Sequence, residues 1–563
     1  MKKHITKGFA IFTCVVAIIA CKDTYLDTPP QAALSGSTLS SSKPGVDATV
    51  ISAYKSLIGW TQNWNEQAWG TAPSNWTFNS ASDEVHKGSE AGDLDEGLQL
   101  ELFQWNPGNP ILRSKWIATY EGVVRSNSAI KTATEYLKLN PEQANYANGR
   151  IGEAIFLRSY YNFEAYKVWK NVPYYSENDV DFKKANDKPI LPLIIEDLKK
   201  AITLLPVKRD QVGRTDKMVA TAYLGKALLY NQDFAGAKVQ FDLVVASGRF
   251  KLVDCFYDNF SVAGDNNDES IFAAQTSVND GAGDGDNSNF AERLALPHGS
   301  SPFGCCGFKT PSYEQAYAYR VNANGLPISV EGQTLKRLSS GASDVLDPRI
   351  DFTMGRTDVP YLDWGVQKDD WVRGQGYAGW YSPKKNAHSS KDPSLSGSWA
   401  GNQLSTLNIE LMRYSDLLLM LAECEVEVGS LSRAQELVNM IRVRAGKCAQ
   451  GKSAIAVPMN AAEITWAKYN VKPYVAVWTD KAVARDAVRL ERRLELALEG
   501  HRIFDLQRWG IYQTTMPKYH AREKMLINVF SGVGAVEAKH NMFPLPNTEI
   551  QRSEGALKQN QGF

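Results

Sequence analysis

Net charge is what this 563-residue sequence most plainly lacks: Lys and Arg together number 62, and so do Asp and Glu. A chain with no excess of either sign carries no general field for nucleic acid or acidic surfaces. Histidine is scarce as well, at seven residues scattered singly, with no pair at zinc-site spacing and no G-x-S-x-G nucleophile elbow anywhere. No Asp or Glu pair is singled out as the acid and base of a glycoside hydrolase. The apolar run from Phe9 to Ala20 is about a dozen residues, short of the ~20 that a mature spanning helix needs.

Aromatic rings, in contrast, are abundant. Fourteen Trp and 24 Tyr in a chain that is 43% hydrophobic have to be placed in cores, at interfaces or against planar ligands. The N-terminus carries an address: Lys2, Lys3 and Lys7 precede the apolar run, which ends at Ile18-Ile19-Ala20-Cys21. That is a secretory signal whose end resembles the lipobox of bacterial lipoproteins, in which the Cys becomes lipidated and N-terminal. Residues 1–20 are therefore read as signal peptide. Residues 21–45, polar and rich in Ser, Thr, Pro and Gly, are read as a lipidated Cys21 with a flexible tether. Lys22-Asp23 directly after the Cys resembles the surface-export signal of Bacteroidetes lipoproteins.

One stretch points elsewhere. Gly446 to Ser453, GKCAQGKS, fits the phosphate-loop pattern G-x-x-x-x-G-K-[ST]. That chemistry needs a strand before the loop and a helix after it. Here the preceding Arg433–Arg444 has apolar residues at helical spacing, with Gly446 at the C-cap, and Pro458 follows too soon for a helix. The stretch is read as a loop with no nucleotide.

Two distant segments share one register: Leu224, Phe234, Ala237, Phe241 and Val244, then Leu421, Leu431, Ala434, Val438 and Ile441. Each is a helical pair with a tight turn, and the small residue lets the helices approach, as in tetratricopeptide repeats. Further helices are expected at 116–137, 152–169, 193–205 and, as one run, 486–508. Between Val253 and Glu410 no helical period persists, Gly, Asn and Asp are frequent, and short strands such as Ser270–Gln275 are expected. The fold class is thus mainly α: a tetratricopeptide-repeat scaffold, about 114–252 and 409–510, with irregular loop-rich insertions, about 60–112 and 253–408. The insertions hold Trp60, Trp64, Trp69 and Trp76, and then Trp364, Trp371, Trp380 and Trp399.

Several longer stretches carry a family resemblance. These are Trp116–Asn127, Glu153–Tyr161, Arg413–Glu423, Glu491–Gly510 and Phe543-Pro-Leu-Pro546. On them the chain is identified as a member of the SusD/RagB family of Bacteroidetes outer-membrane lipoproteins, with 46–563 as a single domain. The resemblance implies a non-catalytic surface glycan-binding protein that sits on a SusC-like TonB-dependent transporter. Ser82–Ser89, Gly304–Phe308, Asp347–Asp351 and Tyr361–Gly365 look like a recurring subgroup within that family.

A pyranose presents a face of C–H bonds to an aromatic ring and hydroxyls to polar groups at its edge. Trp beside Asn, Asp, Lys or Arg is the composition to seek. It nominates Trp76 with Asp83, Trp364, Trp371 with Arg373, and Trp380-Tyr381; the alternative for each ring is packing within the loops. Cys305 and Cys306, flanked by glycines, can close a vicinal disulfide, a flat plate for a sugar, although adjacent cysteines bridge only in a special turn; bridged and free forms both stand. Cys424 reads as a buried small hydrophobe. Asp280, Asp284 and Asp286 offer oxygen ligands to Ca²⁺ but lack EF-hand spacing, which favours a plain polar loop. Glu491, Glu495, Glu499 and His501 among arginines read as intrahelical ion pairs and an anchor for neighbouring repeats, not as acid and base. Lys384, Lys385, Arg373 and His388 near Trp380 hint at an acidic sugar and are left unassigned. A glycan-binding lid is favoured over a lid for peptides or other nutrients, and both over a secreted glycosidase.

Overall fold

The computed structural model describes residues 36–59, 68–283, 286–341, 343–395 and 401–563. The signal peptide, Cys21 and most of the tether lie outside the described residues, as do Trp60, Trp64, Asp284 and Trp399. Its frame is helical: α1 (Lys43–Lys55), α2 (Pro110–Leu139), α3 (Ala144–Trp169), α4 (Leu191–Leu204), α5 (Lys217–Tyr230), α6 (Phe234–Ala246), α7 (Tyr414–Val428), α8 (Leu431–Ala445), α9 (Lys481–Glu495), α10 (Arg502–Arg508) and α11 (Tyr512–Glu523).

Local chemistry starts these helices where they start. Asn109 accepts from the Ile111 N–H with Pro110 in the first turn, Asp216 accepts from Met218 and Val219, and Ser430 from Arg433. Each supplies an acceptor to an N–H that the helix leaves unpaired. The two repeat pairs are α5/α6 and α7/α8, and α6 packs on α7 so that the pairs stack. Ala237, Phe241 and Val244 of α6 and Ala434, Val438 and Ile441 of α8 are all fully buried. A Cβ on Gly225 would lie 2.5 Å from the Phe241 ring, so only glycine lets α5 and α6 cross this closely.

Strands are few and short. β1 (Val85–Gly88) pairs antiparallel with β3 (Phe308–Pro311), Gly88 facing Phe308. β2 (Ser270–Ala274) pairs with β4 (Ile409–Arg413), which leads directly into α7. β5 (Cys448–Gln450) and β6 (Ala456–Pro458) form a hairpin.

Two readings of the sequence are corrected here. The run 486–508 is not one helix: it breaks between Glu495 and Arg502, where Gly500 has φ +79° and a Cβ would lie 1.7 Å from the Ser74 carbonyl oxygen. Nor are Glu491, Glu495 and Glu499 in intrahelical pairs. Glu491 meets Arg442 (2.8 Å) and Arg349 (2.8 Å), Glu495 meets Arg349, Arg413 and Arg444, and Glu499 meets Arg413 (2.8 Å) and Lys385 (2.7 Å). Glu269, at the foot of β2, joins from Arg413 (2.6 Å) and Arg444 (2.7 Å). The anchoring role stands, as a buried ionic knot tying insertion to scaffold. Burial would raise the Glu499 carboxyl, but the Arg413 and Lys385 charges outweigh it and hold it at about 2.

The GKCAQGKS stretch follows α8, whose C-cap is Gly446, and then enters the β5/β6 hairpin. The Lys452 N–H (2.9 Å) and Ser453 N–H (3.3 Å) donate to the Glu463 carboxylate. The strand, loop and helix required by a phosphate site are not formed there. Cys448 is bridged to Cys255, closing a covalent link across 193 residues between this hairpin and the start of the insertion. Cys424 is buried and unbridged in α7.

Candidate ligand-binding face

The residues that gather are those around the segment from Leu296 to Gly307. It is held from both ends. The Gly307 N–H donates to the Leu296 carbonyl (2.8 Å), the Ser89 N–H donates to Gly307 (2.6 Å), and His298 N–H donates to Trp371 (2.8 Å). Across the loop, the Gln403 amide donates to the Phe303 carbonyl (2.9 Å) and the Asn402 amide to Pro302 (3.1 Å). A loop so tied is a preorganised surface rather than a floppy one.

Cys305 and Cys306 are bridged to each other at its tip. Cys306 is buried in a small cluster with Trp76, Phe308, Ala291 and Leu294, while Cys305, Leu94 and Trp69 pack on that cluster and stay partly exposed. Gly304 beside them is exposed, with no heavy atom within 4 Å of where its Cβ would be. Trp69 is stacked on Phe290, ring centroids 5.4 Å apart and 14° from parallel, which fixes the plane of its indole. On the other side, Phe303 lies 5.0 Å from the half-buried Trp364, whose indole N–H donates to the His388 carbonyl (2.7 Å). Trp69, the disulfide and Trp364 are thus brought to one loop.

Polar groups rim it. Arg373 reaches Asp93 (2.9 Å) and Ser89 (3.3 Å) and pairs with Glu90. Asp363 is exposed and accepts from the Ser389 hydroxyl and the Ser390 N–H, both 2.8 Å, which lower its pKa against the opposing effect of partial burial.

The other nominated residues are placed differently. Trp76 is fully buried beneath the disulfide, its indole N–H bonded to the Ala291 carbonyl (3.3 Å), so no ring face is left for a sugar. Asp83 is fully buried and bidentate to Arg502 (2.7 and 2.8 Å), with Arg493 at 3.2 Å; burial would raise its pKa, and the two guanidiniums hold it well below the usual range. Trp371 is 4% exposed and edge-on to Tyr361, so it supports the loop from beneath. Tyr381 is 1% exposed and accepts from the Leu338 N–H (2.8 Å). Trp380 is partly exposed, with Arg337 4.0 Å over its ring and paired in turn with Asp369. Lys384, Lys385 and His388 are buried: Lys384 donates to the Asp351 and Pro360 carbonyls, and burial pulls it down to about 7 and Lys385 to about 8. They do not present an acidic-sugar site.

The Asp280 carboxylate accepts from Ser277, Asn287 (2.7 Å) and the Ala282 N–H (3.0 Å), and the Lys55 ammonium takes the Asp286 carbonyl. Among the described residues no group of three or more His, Cys, Asp or Glu converges on a point. Trp69 was visible in the sequence as one of a Trp cluster; Phe303, Asp93 and Glu90 carried no local signal, because what selects them is the fold around the loop.

Comparison with known proteins fits this architecture. A profile described as "SusD family" matches residues 268–563, and one described as "Starch-binding associating with outer membrane" matches 25–229. The chain belongs to the SusD family. SusD-like protein P38 of Formosa agariphila is 23% identical over 528 residues, covering 90% of this chain and 91% of that protein; SusD-like protein P2 of the same organism is 22% identical and covers both chains in full. Among solved structures, surface glycan-binding protein A of Bacteroides thetaiotaomicron, in complex with laminarihexaose, superposes with a TM-score of 0.66 at 19% identity, covering 92% of this chain and 99% of that one. A laminarin-binding SusD-like protein gives 0.65 at 21% identity, covering 92% and 99%.

Proposed function

We propose that this protein is a non-catalytic carbohydrate-binding protein of the cell surface, anchored to the outer membrane through a lipid on Cys21. It captures an oligosaccharide or polysaccharide and hands it to a SusC-like TonB-dependent transporter. Family membership and two glycan-binding structural neighbours support the class. The observation that carries it is the convergence of Trp69, the Cys305–Cys306 disulfide and Trp364 on one tied loop, with Arg373, Asp93 and Asp363 at its edge. Stacked and apolar surfaces take the C–H faces of sugar rings, and fixed polar side chains take their hydroxyls. Holding a sugar by stacking and hydrogen bonds requires no cofactor.

The test is native affinity electrophoresis of the protein lacking residues 1–21 against neutral and acidic polysaccharides, with Trp69→Ala alongside. Retardation by at least one polysaccharide, reduced in the variant, is expected. A protein that no polysaccharide retards, yet co-purifies with its barrel, would point instead to peptides or other nutrients.

A further inference from the structure

A second concavity, of about 620 Å³, is lined by none of the residues of the 296–307 face. It lies between α2 and the segment 175–182, with Leu557 at one end, and its volume is that of a small-ligand site, roughly 300–1,000 Å³. Trp116, Tyr120 and Val124 project from α2 at four-residue spacing, so they form one stripe. The Tyr120 ring is 4.6 Å from Trp116 and edge-on to Tyr175 at 5.7 Å.

The facing wall is built, not draped. The Asn127 amide donates to the Tyr175 carbonyl (3.1 Å), Arg158 donates to Asn127 (3.0 Å) and pairs with Glu177, and Asp179 accepts from the Ser176 N–H (2.7 Å) and the Lys184 ammonium (2.7 Å). Yet this tied segment turns Phe182, 64% exposed, and Val180, 97% exposed, toward water. Leaving large apolar side chains exposed on a tied segment forgoes their burial, which an outside occupant would recover. The cleft is also polar: Ser128 and Lys131 of α2, Asp181 and Arg552 line it, with both signs represented. A purely apolar ligand would leave those groups unpaired, and a strongly charged one would meet its own sign.

We infer that this cleft is a second carbohydrate-binding site, taking a short neutral oligosaccharide stacked against Tyr120 and Phe182. The inference rests on the glycan-binding reading above but on different residues. It is tested by titration calorimetry with laminarihexaose, cellohexaose, xylohexaose and maltoheptaose, comparing wild type, Trp69→Ala and Phe182→Ala. Phe182 is exposed, so its replacement leaves the fold intact, which a melting curve checks. At least one probe is expected to fill two sites on wild type; Phe182→Ala weakens one by tenfold or more, and Trp69→Ala weakens the other. A single site that responds to Trp69→Ala and ignores Phe182→Ala overturns the cleft and leaves the glycan reading standing. Binding of no probe by folded wild type overturns the cleft, and the glycan reading then stands or falls with the electrophoresis.

Discussion

Trp69 and Trp76 sit seven positions apart, both in Asn- and Ser-rich surroundings, and the fold sends them to opposite fates. Trp76 is sealed by Ala291, Leu294 and Phe308, more than 200 residues away, while Trp69 keeps part of its ring open. Local composition could nominate a tryptophan but could not see the partner that buries it, which is why the sequence picked Trp76 and Tyr381 alongside the better-placed Trp364. Replacing Trp69 by Ala is expected to weaken glycan binding about tenfold, the ~1.4 kcal/mol that a lost ring stack is worth, in a protein that still folds although its stack on Phe290 is lost. Arg502→Ala is expected to do the reverse: it strands the buried Asp83 carboxylate and lowers stability by about 3–5 kcal/mol in denaturant titrations. Two titrating residues set the pH limits. Glu499, held at about 2 against an ordinary ~4.3, contributes stability that is present above pH ~4.3 and lost as pH falls toward 2. His86 is buried; burial alone would lower it, but its bonds to Glu101 (2.8 Å) and Glu523 (3.5 Å) raise it to about 9. Its contribution is therefore complete below ~6.5 and lost as pH rises through 9. Melting temperature should fall as pH drops below ~4.3, and His86→Gln should remove an alkaline loss that Lys384 and Lys385, held low by burial, oppose.

At the scale of elements, the scaffold was legible because helices announce themselves by period and cap. The register of Ala237, Phe241 and Val244 against Ala434, Val438 and Ile441 is what the structure packs into two stacked pairs. The break before α10 was not legible, since Leu494 to Glu499 are good helix formers, yet the chain leaves the helix after Glu495, Leu498 takes φ +66° and Gly500 lies against the Ser74 carbonyl. Gly500→Ala should lower stability by more than about 1 kcal/mol, through both positive φ and that contact. The Cys255–Cys448 bridge was equally hidden, because five cysteines follow Cys21 and spacing alone does not pair them. Cys255→Ser should cost about 2–5 kcal/mol in thermal or denaturant unfolding, and it loosens the cluster that the bridge shares with Leu296, Phe303 and Trp364.

Across the whole molecule, stability and recognition are divided between two kinds of residue. The charged residues of Asp347–Asp351 and 491–499, and Asp83, Glu84 and His86, are buried in ionic knots that join insertion to scaffold. The tied loop with its disulfide and flanking tryptophans is kept out of those knots and stays open to a ligand. The measurement that tests this most directly is equilibrium titration of the retarding glycan into wild type, Trp69→Ala and Trp364→Ala, with the sugar recovered and sized after several hours. The account predicts saturable binding, weakened in both variants while each still unfolds cooperatively, and sugar returned intact. Undiminished binding in both variants, or shortened sugar chains, would contradict it.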